Sequence, residues 1–117
     1  MKSFKAAFVA GGNDYSAALE RVAGDAELLG ELMQIFRADC NFSVMKTAMD
    51  AGETEKAFRA AHSLKGSCGM LGMTDLYETM VLLTDELRHG NLEGARLIFP
   101  KAEREYGKVV ELIDNNL

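Results

Sequence analysis

The sequence predicts an all-α protein: an up-down antiparallel bundle of four main helices, with short additional helices at the N-terminus and before Pro100. Two observations carry this prediction. Apolar residues recur every three or four positions along most of the 117 residues, and no long run alternates with a period of two. Proline occurs once, whereas glycines separate the helical segments. With 48% hydrophobic and 26% charged residues, the chain has the composition of one globular domain, divided into an N-terminal arm (1–12) and a helical bundle (13–117).

The first two segments begin at residues that cap helices well. Asn13 or Asp14 can cap a short helix that runs to about Ala23. Asp25 is the expected cap of a second, longer helix, which should continue to about Ala51. The apolar seam of this second helix is Leu29, Leu32, Met33, Phe36 and Cys40.

Glycines delimit the third and fourth helices. The third begins after Gly52, and the fourth lies between Gly72 and Gly90, which stands at a natural C-terminal cap position. Both helices show regular spacings of three and four, with the seams Ala57, Ala61, Leu64, Cys68, Leu71 and Met73, Leu76, Met80, Leu83, Leu87. Short connections between such helices predict antiparallel neighbours.

Pro100 divides the last segment in the predicted structure. The residue before a proline avoids helical backbone angles, and proline itself suits a first helical turn. We therefore expect a short helix from about Asn91 to Ile98 and a longer one after it. The inward residues of the longer helix should be Ala102, Tyr106, Val109 and Ile113.

Charge and length exclude several classes of function. The net charge of −5 disfavours binding to nucleic acids. No apolar stretch is long enough for a membrane span, and the short run that follows Lys2 and Lys5 is too short for a signal peptide. The two cysteines are too few for a disulfide framework and suggest thiols in a reducing compartment. A cytoplasmic location is expected.

His62 is the residue with the most chemical interest. It follows the seam residue Ala61 and is turned by about 100° from it, which places it on the edge or outer face of the third helix. Lys65 and Gly66 lie one turn further on, and Arg59 lies one turn before. Imidazole can form a covalent phosphoryl adduct, and a nearby cation would offset the added charge. His89, beside a predicted helix end, suits a solvated surface position.

The run from Ala61 to Gly66, followed by Leu71-Gly72, resembles the signature of the histidine-containing phosphotransfer (HPt) domain. The resemblance covers nearly the whole chain and implies a single HPt domain built as a four-helix bundle. Members carry a phosphoryl group on the histidine and exchange it with the aspartate of a receiver domain. That domain belongs to a response regulator or a hybrid kinase.

The resemblance assigns roles to individual residues. His62 is the phosphoryl acceptor, Lys65 lies near the phosphoryl group, and Gly66 permits the partner's approach. Thr84 stands where several members carry a glutamine that orients the histidine ring, and its shorter side chain departs from that pattern.

The partner of this chain is expected to be a receiver domain that docks around His62. Arg59 and Gly69 are expected on the docking face. The resemblance further implies no kinase activity or cofactor of the chain's own, since the receiver domain supplies Mg²⁺. We expect a monomer, and the short N-terminal arm favours a free-standing protein over a module of a larger kinase.

Other functions fit the sequence less well. His62 and Cys68 lie on different helix faces, so a metal site is disfavoured, and no phosphate-binding glycine loop or catalytic triad pattern is present. Most methionines should fill the core, although Met45, Met49 and Met70 could belong to a docking face. The main alternative is an adaptor bundle that binds a kinase or receiver without accepting phosphate.

Overall fold

A computed structural model describes residues 3–117, and over these residues the chain forms seven α-helices and no strand, which confirms the all-α prediction. Met1 and Lys2, at the start of the predicted arm, lie outside the described residues. The helices are α1 (Phe4–Ala10), α2 (Tyr15–Arg21), α3 (Ala26–Ala38), α4 (Asn41–Asp50), α5 (Thr54–Met70), α6 (Thr74–Arg88) and α7 (Leu92–Asn116).

The N-terminal helices pack on the rest of the molecule. Helix α1 occupies most of the predicted arm and contacts α7, and its Phe8 is buried in the core. The predicted cap Asp14 is confirmed at α2, where its carboxylate accepts a hydrogen bond from the Ala17 amide at 3.0 Å. The Asp14 amide in turn donates to the carbonyl of Gly72 at 2.8 Å. This bond ties the start of α2 to the turn between α5 and α6.

The second predicted helix is interrupted, which corrects the expectation of one helix to about Ala51. Its Asp25 cap is confirmed, but α3 ends at Ala38 and α4 begins at Asn41. Between them Asp39 is extended, and its carboxylate accepts a hydrogen bond from the Asn41 amide at 2.7 Å. Such a local bond competes with helical hydrogen bonding, so the chain turns here.

The last predicted break is absent, because α7 runs through Pro100 as one helix. Pro100 has no N–H to donate to the carbonyl one turn earlier, which costs the helix a hydrogen bond. Packing on both sides of the proline offsets this loss. Ala95 and Ala102 are fully buried, and the Phe99 ring stacks on Phe42 of α4 with the ring centroids 5.5 Å apart.

Helices α5 and α6 match the sequence prediction closely, and every residue of their two predicted seams is buried. The glycines after α4, α5 and α6 have positive φ angles, as tight helix-ending turns require: Gly52, Gly72 and Gly90. Helix α5 packs between α4 and α6, and α6 packs in turn against α7. Helix α5 therefore has two neighbours that hold it in place while one side remains free.

None of the helices formed by residues 3–117 combines the length and apolarity that crossing a membrane would need.

The two cysteines differ sharply in exposure. Cys40, predicted on the apolar seam, is exposed because it lies at the break between α3 and α4. Cys68 is 0% exposed, and burial raises the pKa of its thiol to about 12.

Thiol labelling of the native protein should therefore modify one cysteine only. At pH 8 the Cys68 thiol stays protonated and inaccessible, so iodoacetamide should alkylate Cys40 alone until denaturant is added. Mass spectrometry of tryptic peptides measures this directly. Cys40→Ser should remove the rapid labelling, and rapid labelling of Cys68 would contradict the packing described above.

Candidate functional site

Helix α5 fixes the position of His62. Its neighbour Ala61 is 0% exposed and Leu64 is also buried, so the two anchor the inner face of the helix. His62 lies on the outer face and is exposed, as the helical spacing predicts. Within the described residues its imidazole forms no hydrogen bond and no ion pair. The ring is therefore open to a partner.

The two motif residues that follow lie one turn further along the same helix. Lys65 is half-buried and Gly66 is exposed. A Cβ atom built on Gly66 meets no atom within 4 Å. Folding therefore has no steric need for glycine at this position, which a helix would otherwise disfavour. The absent side chain leaves a flat surface beside the imidazole.

Gly69 has a different explanation. A Cβ at this position would lie 2.9 Å from Cε1 of Tyr77, so the close packing of α6 on α5 requires the missing side chain. The Gly69 carbonyl also accepts a hydrogen bond from the Arg21 guanidinium of α2 at 2.8 Å. Gly69 is half-buried, and these contacts account for it without a partner. Its predicted place on a docking face stays a prediction.

Arg59 is exposed one turn before His62, on the predicted docking face. Its Nη1 lies 3.3 Å from Oε1 of Glu55 in an ion pair along the helix. Both side chains are largely exposed, so the pair contributes little to stability. The guanidinium remains free to exchange this carboxylate for another anion.

Thr84 does not make the contact that its predicted role suggests. It lies on α6 and is 1% exposed, and its hydroxyl forms no hydrogen bond with any described residue. Tyr77 and Arg88 of α6 both contact α5, at Gly69 and Phe58 respectively. Thr84 lies between them along α6, and its place opposite His62 stays a prediction. A direct hydrogen bond from its hydroxyl to His62 is absent.

The sequence reasoning missed a stack of side chains beside His62. The Phe58 ring, four residues before the histidine, stacks on the imidazole with centroids 5.7 Å apart and an interplanar angle of 26°. The Arg88 guanidinium of α6 lies over the same phenyl ring, with its Cζ 5.6 Å from the centroid. The spacing of four could have revealed Phe58. The contact of Arg88 with Phe58 depends on how α6 packs against α5, so no local sequence pattern predicts it.

An open groove of about 570 Å³ lies at the far end of α5, bounded by α2 and α6. Met70 and Tyr77 present exposed apolar surface along it. Met45 and Met49, the other methionines considered for a docking face, are buried in the core, so that prediction is wrong for both.

The thiol and imidazole of α5 do not converge. Cys68 is fully buried and His62 is exposed, as expected from their different helix faces. Across residues 3–117 there is no cluster of three or more side chains suited to hold a metal ion. Three cationic side chains lie one turn from His62 on α5 or over Phe58: Arg59, Lys65 and Arg88. Arg59 is paired with Glu55 and Arg88 with Asp85, whereas Lys65 forms no ion pair within residues 3–117. Lys65 is therefore the cation left to balance an anion at the imidazole.

Comparison with known proteins agrees with this geometry. The sequence matches the family model of the Hpt domain over residues 26–114, which includes α3 to nearly the end of α7. No curated protein and no solved structure matches the chain. The family match spans most of the sequence and contains His62, Lys65 and Gly66. The chain therefore belongs to the Hpt domain family, whose members are phosphocarrier modules of two-component signalling.

Proposed function

We propose that the protein accepts a phosphoryl group on His62 and relays it to or from the aspartate of a receiver domain. The observation that carries this proposal is the exposed imidazole of His62 beside the open space at Gly66. A receiver's active site must bring an acyl phosphate to the ring, and a flat helix surface permits that approach. The family match supports the same reaction class.

The transfer requires no pocket on this chain. The lone pair of one ring nitrogen, expected to be Nε2, attacks the phosphorus of the aspartyl phosphate in line through a loose transition state. An N–P bond forms while the P–O bond to the aspartate breaks, and the aspartate leaves as a carboxylate. The proton on the other ring nitrogen can pass to solvent. The receiver domain supplies Mg²⁺, and the chain itself brings no kinase site or cofactor.

Lys65 is expected to stabilise the charge that arrives on His62. Lys65→Ala should slow phosphoryl transfer by about tenfold, because a charge-assisted contact to the phosphoryl oxygens is lost. Lys65→Arg keeps the cation and should retain most of the rate. Rapid-quench assays with a phosphorylated receiver domain measure the transfer rates of both variants. Equal rates for the alanine and arginine variants would contradict the electrostatic role.

Gly66 should separate folding from function. Gly66→Ala places a methyl group in open space, so the free energy of unfolding should rise by about 0.5–1 kcal/mol from helix propensity alone. The same methyl group obstructs the partner, so transfer should slow. Urea unfolding and transfer rates on the same preparation test the two effects. A variant that is both more stable and fully active would show that the open surface is not needed.

The contact with the receiver should be weak and transient, since a carrier must release its partner after each transfer. A monomer in the cytoplasm fits this use. We also infer an up-down order for the four main helical segments. The packing of α4 on α5, α5 on α6 and α6 on α7, with short turns between them, supports that order.

An adaptor that binds a receiver without accepting phosphate is the competing function. Both functions predict binding, so the decisive experiment measures phosphate uptake. Purified protein is mixed with a panel of radiolabelled, phosphorylated receiver domains and hybrid kinases. Label on the protein that resists alkali and is lost in acid identifies phosphohistidine. If no protein of the panel phosphorylates this chain but one of them binds it tightly, the carrier function is overturned in favour of the adaptor.

A further inference from the structure

The imidazole of His62 is held by an aromatic contact instead of a hydrogen bond. Phe58 precedes it by one turn of α5, and the two rings are stacked 5.7 Å apart at an angle of 26°. Phe58 is half-buried and so has less freedom than the exposed ring that it contacts. The buried Thr84 hydroxyl makes no hydrogen bond to the imidazole. Among the described residues, the Phe58 ring is thus the side-chain plane against which His62 rests.

Phe58 is in turn fixed from the neighbouring helix. The Arg88 guanidinium, near the end of α6, lies over the phenyl ring with its Cζ 5.6 Å from the centroid. Its ion pair with Asp85 is long, at 3.7 Å, and leaves the guanidinium free to maintain this contact. Leu87 and Arg88 line one side of a shallow cavity of about 290 Å³, and Phe58 lines the other. The stack therefore bridges α5 and α6 next to the site.

We propose that Phe58 is a positioning residue for His62 and that Arg88 holds Phe58 in place. The inference rests on the proposed role of His62 as phosphoryl acceptor. An exposed imidazole on a single helix samples several rotamers, and an in-line attack needs one of them. Stacking favours the rotamer that lies along the phenyl ring. Arg88 also places a cation at the end of the stack, where it adds to the field of Lys65.

The expected size of the effect follows from the strength of aromatic pairs. Loss of such a pair should lower the population of the stacked His62 rotamer by roughly twofold to tenfold. Phe58→Leu keeps an apolar side chain of similar bulk but removes the aromatic plane. It should lower the transfer rate at saturating receiver by that factor and leave the half-saturating receiver concentration unchanged. Phe58→Tyr keeps the plane and should restore the rate.

The test combines NMR spectroscopy with transfer kinetics on the full chain. In the wild type, the ring protons of His62 should show a ring-current shift from Phe58. Phe58→Leu should move these resonances toward the values of an exposed histidine, Phe58→Tyr should retain the shift, and Arg88→Gln should reduce it partly. Arg104→Gln, an exposed arginine on α7, is the matched control and should change neither the shift nor the rate.

The outcomes separate this proposal from the proposed function. If the wild type is charged by a receiver but Phe58→Leu transfers at the same rate, the positioning role is overturned and the carrier function stands. Ring resonances of His62 that do not respond to Phe58→Leu overturn the stacking itself. If no receiver charges the wild type, the carrier function fails, and the positioning role falls with it whatever the resonances show.

Discussion

Replacement of His62 by glutamine is expected to reduce phosphoryl uptake to background while the protein stays folded. Glutamine has no nitrogen lone pair able to attack phosphorus, so the acceptor is lost altogether. The side chain is exposed and forms no hydrogen bond within residues 3–117, so the free energy of unfolding should change by less than about 1 kcal/mol. Radiolabel transfer and urea unfolding measure the two quantities.

His89 provides a matched control for this experiment. It too is exposed, and its Nδ1 lies 2.8 Å from the carbonyl oxygen of Asp85 at the end of α6. That contact is explained by helix capping, so His89→Gln should retain full uptake. Label retained in His62→Gln and lost in His89→Gln would reverse the assignment of the acceptor. Uptake that survives in both variants would show that neither histidine is by itself required as the acceptor.

The largest expected effect on stability comes from Gly72→Ala, which should cost about 2–5 kcal/mol. Gly72 has a φ of +68° at the turn between α5 and α6, where a side chain is strained. An added Cβ would also collide with the backbone carbonyl of Asp14 and approach Ala18 Cβ at 3.3 Å. The turn and the start of α2 would have to separate. Urea unfolding should show a lower midpoint with a similar slope.

Two other glycines separate the contributions to this effect. Gly90 has a φ of +73° and open space around it, so Gly90→Ala should show the backbone strain alone, about 1–2 kcal/mol. Gly107 lies within α7 with nothing near its Cβ position, and Gly107→Ala should stabilise by about 0.5–1 kcal/mol. If Gly72→Ala costs no more than Gly90→Ala, the contact with Asp14 is not a constraint on folding.

The parts of the fold that could be predicted are those specified by local pattern. Helices α5 and α6 have unbroken seams and glycines at their ends, and both were predicted closely. At the break, the Asp39 carboxylate accepts a hydrogen bond from the Asn41 amide, and the surrounding apolar spacing gives no sign of it. The continuity of α7 depends on distant packing, such as Phe99 on Phe42, which outweighs the local effect of Pro100.

The same distinction applies to the candidate site. His62, Lys65 and Gly66 share one helix, so helical geometry alone predicted their grouping. Arg88 reaches Phe58 from another helix, and the register of α6 on α5 decides that contact. The place of Thr84 opposite His62 stays a prediction from its position in the chain. Its hydroxyl forms no hydrogen bond with any described residue, and a family pattern based on a longer residue could not show this.

The two N-terminal helices have a consequence for any exchange of modules between signalling proteins. The family match begins at residue 26, yet Phe8 and Ala18 lie in the same core as the later helices. Arg21 binds the last carbonyls of the helix that carries His62, at Gly69 and Met70. A graft that begins at residue 26 would lack part of the core and the hydrogen bonds from Arg21 to the end of α5. The unit to transplant therefore includes α1 and α2, upstream of residue 26, where the family match begins.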